Sequence, residues 1–467
     1  MRTSVRLIVA GLIITAAGCA SKKPAPPPSF WQYRQPDFAT APGVPVYAVV
    51  SMPEGFAPDR SAAPMWLGAG TEVALVGTYN GGPAIVGFSG AQFADYWVLA
   101  SEQASEGLKG KMLDAAASPD GSALVLAVAR EDGTGIDLVV RETAAPKKGG
   151  TVATLKGNFQ SAAVIWLEHN QIVVAARKAP ADDRPVETTV HYFNPAGKEL
   201  SKRRTIACDL ARPFWNPSGT LAFAATQPGA PAILFDRRKG KCSDLLIPGN
   251  VRFIQWSPND QDFLYFAALA GTSDAGGFAT FDYDLSTNAS RMIAASSGAV
   301  AFTQNGAVAA LGNRKLTKGV ILGSPNGSIP LEMAELKLGT GEMQITALPL
   351  QTTPEAMALS AIRYSKAANS LAFELPVPST VGGIDLVTFD LKSKTTGLMA
   401  RTLRSRGLPP MSWSPDGGLI ALVYIDSGPQ ATPSSLGADS NKPPSPAGSV
   451  ASRPTLAILG LPRLPTP

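Results

Sequence analysis

The chain has 467 residues, of which 45% are hydrophobic and 16% charged, and its formal net charge is +5. This composition excludes a largely disordered polypeptide, and the near balance of charges gives no reason to expect nucleic acid as a partner. With 45 Gly and 40 Pro but two His and three Cys, the chain suits short strands joined by turns and offers few ways to build a histidine-based catalytic or metal site.

The first 18 residues have the composition of an export signal. Arg2 and Arg6 form a basic start, residues 7–17 are apolar, and residues 16–18 (AAG) are small, as at a cleavage site. Cys19 follows directly. This arrangement resembles the lipobox of bacterial lipoproteins, in which the Cys after the cleavage site receives acyl chains. The alternative is an ordinary secretory signal followed by an incidental Cys.

The lipobox resemblance implies a location for the protein. It implies that Cys19 is lipidated, and because Ala20 rather than Asp follows, the bacterial sorting rule implies the outer membrane, facing the periplasm. We therefore expect a signal peptide over residues 1–18 and a lipidated, Pro-rich tether over residues 19–42. No later apolar run is long enough to span a bilayer, so the expected membrane contact is the lipid anchor only.

Eight copies of one sequence unit occupy the rest of the chain. The clearest are residues 413–417 (WSPDG) and 117–121 (ASPDG), each followed by an apolar run. Close variants are residues 215–219 (WNPSG) and 256–260 (WSPND). Weaker copies begin at Trp66, Trp166, Phe302 and Tyr364. The mean spacing of about 49 residues is in the range for one blade of a propeller.

The residue types in the repeated turn predict a hairpin. Pro presets φ at the first corner, Asp, Asn or Ser bonds neighbouring backbone groups, and Gly adopts the exit conformation. We assign a structural role to Trp66, Trp166, Trp215, Trp256 and Trp413 before the turn, and to Pro119, Asp120, Gly121, Pro217, Gly219, Pro258, Pro415, Asp416 and Gly417 within it. The repeated Trp position favours packing between blades over ligand stacking. The two Asp residues are turn formers rather than catalytic acids.

A second repeated feature follows each hairpin: an apolar strand that ends in an aromatic residue and Asp or Asn, as in residues 234–236 (LFD) and 388–390 (TFD). A further strand follows, so each copy supplies four strands. These repeats resemble those of TolB-type propellers, relatives of the WD-repeat proteins, over roughly residues 43–463. The resemblance implies an all-β propeller with eight four-stranded blades and leaves the function open. Seven blades result if the copy at Phe302 merges with residues 313–360.

The two ends of the chain predict how the ring closes. The last strand, residues 455–461, has no outer strand after it, and residues 464–467 form a short tail. Residues 44–50 (VPVYAVV) are a strand without a hairpin partner. We predict that these two segments pair, which removes the free sheet edge and makes residues 43–463 a single domain.

Alternating strand direction gives the ring two different faces. The turns joining the first to the second and the third to the fourth strand of each blade lie on one face, here the turn face. The other connections lie on the opposite connection face, with long insertions at residues 177–187, 268–277 and 427–453, and an excess at residues 333–357 that we assign to the link between the sixth and seventh copies. Loops on a rigid scaffold favour this face for binding. Tolerated insertions are the alternative, and the composition of residues 427–453 fits disorder equally well.

The remaining reactive residues give few signals. Once Cys19 is lipidated, Cys208 and Cys242 are an even number in an exported protein, but outer strands splay apart, so their pairing stays open. No G-x-S-x-G motif, phosphate loop or C-x-x-C pair is complete. His169 and His191 fall in one copy, and residues 182–183 (DD) lack a third ligand at calcium-loop spacing. We therefore predict no catalytic residue, metal or cofactor.

The sequence as a whole favours a binding protein. We expect a monomeric, non-enzymatic propeller that binds another envelope protein or a peptide. A second hypothesis is a receptor for envelope polysaccharide or peptidoglycan fragments, which predicts aromatic side chains at the channel mouth. A third is a hydrolase or lyase, which predicts convergent acidic residues with perturbed pKa values in the channel.

Overall fold

The computed structural model describes residues 38–60, 62–100, 110–143, 149–178, 186–201, 203–224, 232–245, 247, 251–268, 278–295, 299–304, 306–312, 329–352, 361–377, 383–404, 410–426 and 453–462. In these ranges the regular structure is β-strand, apart from two 3-10 turns at Gly68–Gly70 and Ala91–Phe93. No helix among the described residues is long and apolar enough to cross a membrane.

The strands form eight antiparallel sheets, numbered here as blades 1 to 8 in chain order. The N-terminal strands are β1 (Ala39–Thr40) and β2 (Val46–Ser51). Blade 1 contains β3 (Phe56–Pro58), β4 (Met65–Leu67), β5 (Glu72–Tyr79), β6 (Gly82–Ser89) and β7 (Asp95–Ala100). Blade 2 contains β8 (Lys111–Ala117), β9 (Ala123–Ala129), β10 (Gly135–Glu142) and β11 (Gly149–Lys156). Blade 3 contains β12 (Phe159–Leu167), β13 (Gln171–Lys178), β14 (Thr188–Phe193) and β15 (Arg204–Ile206). Blade 4 contains β16 (Phe214–Trp215), β17 (Leu221–Ala224), β18 (Ala232–Asp236) and β19 (Lys241–Leu245).

The second half of the ring repeats this order. Blade 5 contains β20 (Arg252–Trp256), β21 (Asp262–Ala268), β22 (Phe278–Asp284) and β23 (Ala289–Ala295). Blade 6 contains β24 (Val300–Phe302), β25 (Val308–Gly312), β26 (Ile329–Leu336) and β27 (Met343–Thr352). Blade 7 contains β28 (Ala361–Ser365), β29 (Ser370–Pro376), β30 (Gly383–Asp390) and β31 (Thr395–Arg404). Blade 8 contains β32 (Ser412–Trp413), β33 (Leu419–Asp426) and β34 (Arg453–Gly460), with β2 as its outer strand.

The ring closes as the sequence predicts. Strand β2 pairs antiparallel with β34, with Val50 opposite Leu456, so one blade takes strands from both ends of the chain. The fold is therefore an eight-bladed β-propeller, and the copy at Phe302 forms its own four-stranded sheet rather than merging with its neighbour. The alternative with seven blades is wrong.

The hydrophobic core is divided among the eight interfaces between neighbouring blades. Each of the eight buried clusters joins two adjacent blades, including one that joins blade 8 to blade 1. Strand β9 shows why its sequence is continuously apolar: Leu124 and Leu126 pack against blade 1, whereas Val125 and Ala127 pack against blade 3. Because both faces of each blade are covered, the usual alternation of apolar and polar residues disappears.

Side-chain hydrogen bonds fix the repeated hairpin turn. Ser118 Oγ donates to Asp120 Oδ1 (2.6 Å) and accepts from the Ala123 N–H (2.9 Å), while Asp120 Oδ1 also accepts from the Ser122 N–H (3.0 Å). The bond from Ser118, with those from Ser122, lowers the pKa of Asp120 to about 2. Gly121 has a φ of 69°, which a side chain would resist. The structure thus uses these residues as turn formers.

Other copies of the turn use the same chemistry. Ser414 donates to Asp416 (2.5 Å), and Ser257 donates to Asn259 (2.6 Å) in the copy that contains Pro258. In the copy with Pro217 and Gly219, Asn216 Oδ1 accepts from the N–H groups of Thr220 and Leu221, both at 2.9 Å. These four turns therefore satisfy several of their own backbone donors. The turn of blade 1 also bonds a neighbouring turn, because the Gly68 N–H donates to the Gly121 carbonyl at 2.9 Å.

Two segments lie elsewhere than the sequence analysis places them. The ring begins before Gly43, because β1 adds a fifth strand to the outer edge of blade 7 and Phe38 packs edge-to-face on Tyr424 (5.1 Å). Residues 333–352 belong to β26, β27 and their turn, so the assignment of the excess at 333–357 to the link between blades 6 and 7 is wrong. Blade 6 lacks the aromatic-Asp ending of its third strand, and that absence hid the strand from sequence reasoning.

Candidate functional site: the inner wall of the ring

The first strands of the blades line the axis of the ring, where neighbouring strands such as β4 and β8, or β24 and β28, contact each other. The indole groups of three Trp residues link the first strands of neighbouring blades. Trp256 Nε1 donates to the Phe214 carbonyl (2.7 Å) and Trp413 Nε1 to the Arg363 carbonyl (3.1 Å), in each case one blade back. The corresponding bond from Trp66 reaches Ser412 at 3.4 Å across the closure of the ring.

The other two repeat Trp residues are also placed in the core. Trp215 lies edge-to-face on Tyr192 of blade 3 (6.3 Å) and on Phe235 of its own blade (5.8 Å). Trp166 is buried between blades 2 and 3, and its indole N–H donates to Asn170 at 3.4 Å. These five aromatic side chains therefore hold blades together, and the surface available for recognition must come from other residues.

Polar side chains on the inner strands also reach the next blade. Asp114 Oδ2 accepts from the Val164 N–H (2.7 Å), and Gln255 Oε1 accepts from the Phe302 N–H (3.0 Å). Burial raises the pKa of Asp114 to about 6, against the effect of the Val164 N–H and of the Arg212 charge. Asp114 is therefore a poorly solvated carboxyl group that joins blade 2 to blade 3.

Glu374 occupies a comparable environment in blade 7, three blades away from blade 2. Burial raises its pKa to about 7, while the Arg363 charge and the Met411 N–H act in the opposite direction. Because Met411 immediately precedes β32, this carboxyl group also connects two blades, blades 7 and 8. Asp114 and Glu374 thus lie in blades 2 and 7 and do not converge on one point.

Arg212 and Phe214 stand out on the inner wall because both are exposed. Phe214 has 45% of its surface exposed, and Arg212 makes no hydrogen bond or salt bridge within the described ranges. Arg212 lies in the bend that leads into β16, and Phe214 is the first residue of that strand. The charge of Arg212 also acts on Asp114 of blade 2, whose pKa it lowers against the effect of burial.

Two of the eight copies carry a charged residue at one position of the repeat where the other six are neutral. Asp114 and Arg212 both lie three residues before the Trp position of their copies. The other copies carry neutral residues there: Ala63, Ala163, Phe253, Ala299, Ala361 and Pro410. Neither charge is conspicuous in its own copy, but superposing the eight copies on their Trp position reveals both.

The segment before Arg212 is fixed from several sides. Cys208 and Cys242 form a disulfide bond between blades 3 and 4, with their Cα atoms 6.4 Å apart. Thr188 Oγ1 donates to the Cys208 carbonyl (2.8 Å), and Arg177 Nη2 contacts Asp209 Oδ2 at 2.8 Å. The link between these blades is therefore a rigid support for Arg212 and Phe214.

The remaining residues singled out by sequence have ordinary surroundings or lie outside the described ranges. His191 Nδ1 is 3.1 Å from Glu199 Oε1 and its ring stacks on Phe193, and burial lowers the pKa of His191. Among the described residues no group of three His, Cys, Asp or Glu side chains could hold a metal ion. Cys19, residues 182–183 and residues 427–452 are not described.

Comparisons with known proteins add no family assignment. No family model matches the chain, and no curated protein matches it. An oligogalacturonate lyase solved with manganese is 13% identical (TM-score 0.45; 92% of this chain and 99% of that chain covered). A eukaryotic initiation factor is 14% identical (TM-score 0.46; 81% and 90%), and the propeller domain of the Trilobed protease from Pyrococcus furiosus is 12% identical (TM-score 0.38; 74% and 96%). With TM-scores below 0.5, these likenesses say nothing about family or activity.

Proposed function

We propose that this protein is a lipid-anchored propeller of the bacterial envelope that binds another envelope protein or a peptide at its inner wall, without catalysing a reaction. The leader and Cys19 support export and lipidation, and the bond between Cys208 and Cys242 supports an oxidising compartment such as the periplasm. The repeats support a TolB-type propeller. Lipidation would hold the ring at the outer membrane and raise its effective concentration near membrane-bound partners.

The pair Arg212 and Phe214 carries the proposal for binding. Arg and aromatic residues supply much of the energy at protein interfaces, because a guanidinium binds carboxylates in a fixed geometry and a ring buries a large area. Both residues are exposed, and the disulfide and the Arg177 contact hold the segment before them in place. We expect a partner that supplies a carboxylate to Arg212 and an apolar side chain to Phe214.

A capture experiment tests this assignment. The lipidated protein is purified, immobilised and exposed to detergent-solubilised envelope proteins of its own cell. We expect Arg212→Ala and Phe214→Ala each to lose a specific partner, whereas Arg238→Ala, an exposed Arg on the turn face of the same blade, retains it. Equal capture by all four proteins would contradict the role of the inner wall.

A hydrolase or lyase is the second candidate, because Asp114 and Glu374 carry raised pKa values of the kind that acid–base catalysis uses. Their separation in blades 2 and 7 and their bonds to neighbouring blades favour a structural role. Incubation with isolated envelope material separates the candidates. Release of soluble sugar or peptide fragments that Asp114→Asn or Glu374→Gln abolishes would support the enzyme.

A further inference from the structure

Blade 5 combines three charged residues on one face of its sheet. Asp262 begins β21, Asp282 lies opposite Leu264 in β22, and Arg291 lies opposite Asp282 in β23. The register places Ala123, Leu221, Ser370 and Leu419 at the position of Asp262 in four other blades. It places Val140, Leu234, Thr388 and Ile458 at that of Asp282, and Gly150, Ser243, Gly397 and Ala48 at that of Arg291. Single charges also occur at these positions, with Glu72 of blade 1 at that of Asp262 and Glu335 of blade 6 at that of Asp282. The combination of two acids and an Arg on one face of a blade points to a local function.

The three charges face blade 6. Leu264, opposite Asp282, packs in the cluster between blades 5 and 6. The Arg291 guanidinium crosses to blade 6, where it donates to the Leu338 carbonyl at 3.4 Å. Since Asp262 follows the hairpin of β20 and β21, the group lies at the turn face.

The carboxylates outnumber their counter-charge. Asp282 Oδ2 is 3.6 Å from Arg291 Nη2, whereas the buried Asp282 Oδ1 has no hydrogen-bond partner among the described residues. Only 5% of Asp282 is exposed. Asp262 is half-buried, and its carboxylate forms neither a hydrogen bond nor a salt bridge in the described part of the chain. One guanidinium therefore serves two carboxylates.

This imbalance has an energetic consequence. Burial and then the neighbouring charge of Asp262 raise the pKa of Asp282 to about 6, and burial and then Asp284 raise that of Asp262. A buried carboxylate with an unpaired oxygen is costly, and a further cation would relieve both the desolvation and the repulsion. The Asp284 carboxylate already has hydrogen-bond partners, because its Oδ1 accepts from the N–H groups of Ser286 and Thr287 in the same turn.

The residues around Asp262 and Asp282 favour an ammonium group over a metal ion. No metal-binding group of three side chains exists among the described residues, and Arg291 already occupies one side of the carboxylates. Met343 is 55% exposed and lies opposite Leu336, on the face of blade 6 that packs toward blade 5. Met343 therefore lies at the turn end of the surface that faces blade 5, where an exposed thioether can pack against an alkyl stem that ends in a charge, as in lysine.

We propose that blades 5 and 6 bind the ammonium group of a lysine side chain of a partner protein, between the carboxylates of Asp262 and Asp282 and with its stem along Met343. This site lies on the turn face and does not depend on the binding role of the inner wall. It would give the ring a second contact surface, on the face opposite to the long connections.

Methyl resonances test the proposal in the full chain. The protein is labelled with 13C-methyl methionine, and the signals of Met292 and Met343 are followed while Nα-acetyl-lysine methylamide is added. We expect saturable shifts at Met343, and none with Nα-acetyl-norleucine methylamide, which has the alkyl stem but no charge. Shifts of equal size with both compounds would overturn the proposal.

Matched variants locate the binding groups. Asp262→Asn, at the half-buried carboxylate, should weaken lysine binding at least fivefold without lowering the melting temperature. Asp244→Asn, which removes an exposed carboxylate from the outer strand of blade 4, should leave the affinity unchanged. Unchanged affinity in Asp262→Asn would overturn the assignment, and loss of capture in Arg212→Ala with retained lysine binding would show that the two sites are separate.

Discussion

Replacing Asp114 by Asn should stabilise the ring at neutral pH. The Asp114 carboxyl group has a pKa of about 6 in the folded chain against an ordinary value of 3.8, chiefly through burial. Because the folded pKa is raised, the folded state holds the proton more tightly than the unfolded state. The resulting stabilisation is present below about pH 4 and is lost as the pH rises through about 6.

The size of the effect follows from the displacement of the pKa. A change from 3.8 to about 6 corresponds to about 3 kcal/mol between pH 4 and pH 7. Asn keeps an acceptor for the Val164 N–H, which Asp114 now accepts at 2.7 Å, and it removes the buried charge. Asp114→Asn should therefore unfold like the parent at pH 4 and be up to about 3 kcal/mol more stable at pH 7.5.

Urea unfolding at several pH values measures this difference. Midpoints and slopes of parent and Asp114→Asn are compared at pH 4, 6 and 7.5, with Asp244→Asn as an exposed control. Other titrating groups, such as Glu374, are common to all three proteins and cancel in the comparison. A stability difference for Asp114→Asn that does not change with pH would refute the reasoning.

Three further substitutions test the contacts that hold the ring. Trp256→Phe removes the indole N–H and leaves the Phe214 carbonyl without its 2.7 Å donor, so thermal and urea unfolding should show a loss of about 1–3 kcal/mol. Replacing Cys208 and Cys242 together by Ser opens a loop of 34 residues, worth about 4 kcal/mol, and dithiothreitol should then no longer affect the melting temperature. Gly417→Ala should cost at least about 1–2 kcal/mol in calorimetry, because its φ is 73° and the new Cβ would lie 2.6 Å from the backbone of blade 7.

The sequence was sufficient for the architecture because the fold repeats one local rule. The chemistry of Ser118, Pro119, Asp120 and Gly121 is complete within a few residues, so each hairpin could be predicted without knowledge of the rest. Ring closure also followed from local counting, because one strand at each end lacked a partner. Blade 6 was harder, since its third strand ends at Leu336 without the aromatic-Asp signal.

The candidate sites were not visible in the linear sequence, because they depend on which strands meet. The charge of Arg212 in blade 4 acts on Asp114 in blade 2 across the ring, and the linear sequence does not show that they are neighbours. Cys208 lies in the link after β15 rather than within an outer strand, so the splay of the outer strands was a poor guide to its pairing with Cys242. Asp282 and Arg291 become neighbours only through the register of β22 and β23.

Photo-crosslinking in the producing cell tests the central claim, recognition at the inner wall, most directly. Phe214 is replaced by p-benzoylphenylalanine, and the exposed Leu200 in the turn between β14 and β15 receives the same replacement as a control. The account predicts a discrete adduct with an envelope protein from position 214, absent from position 200 and lost when Arg212→Ala is added. No adduct at position 214, or the same adduct from both positions, would contradict it.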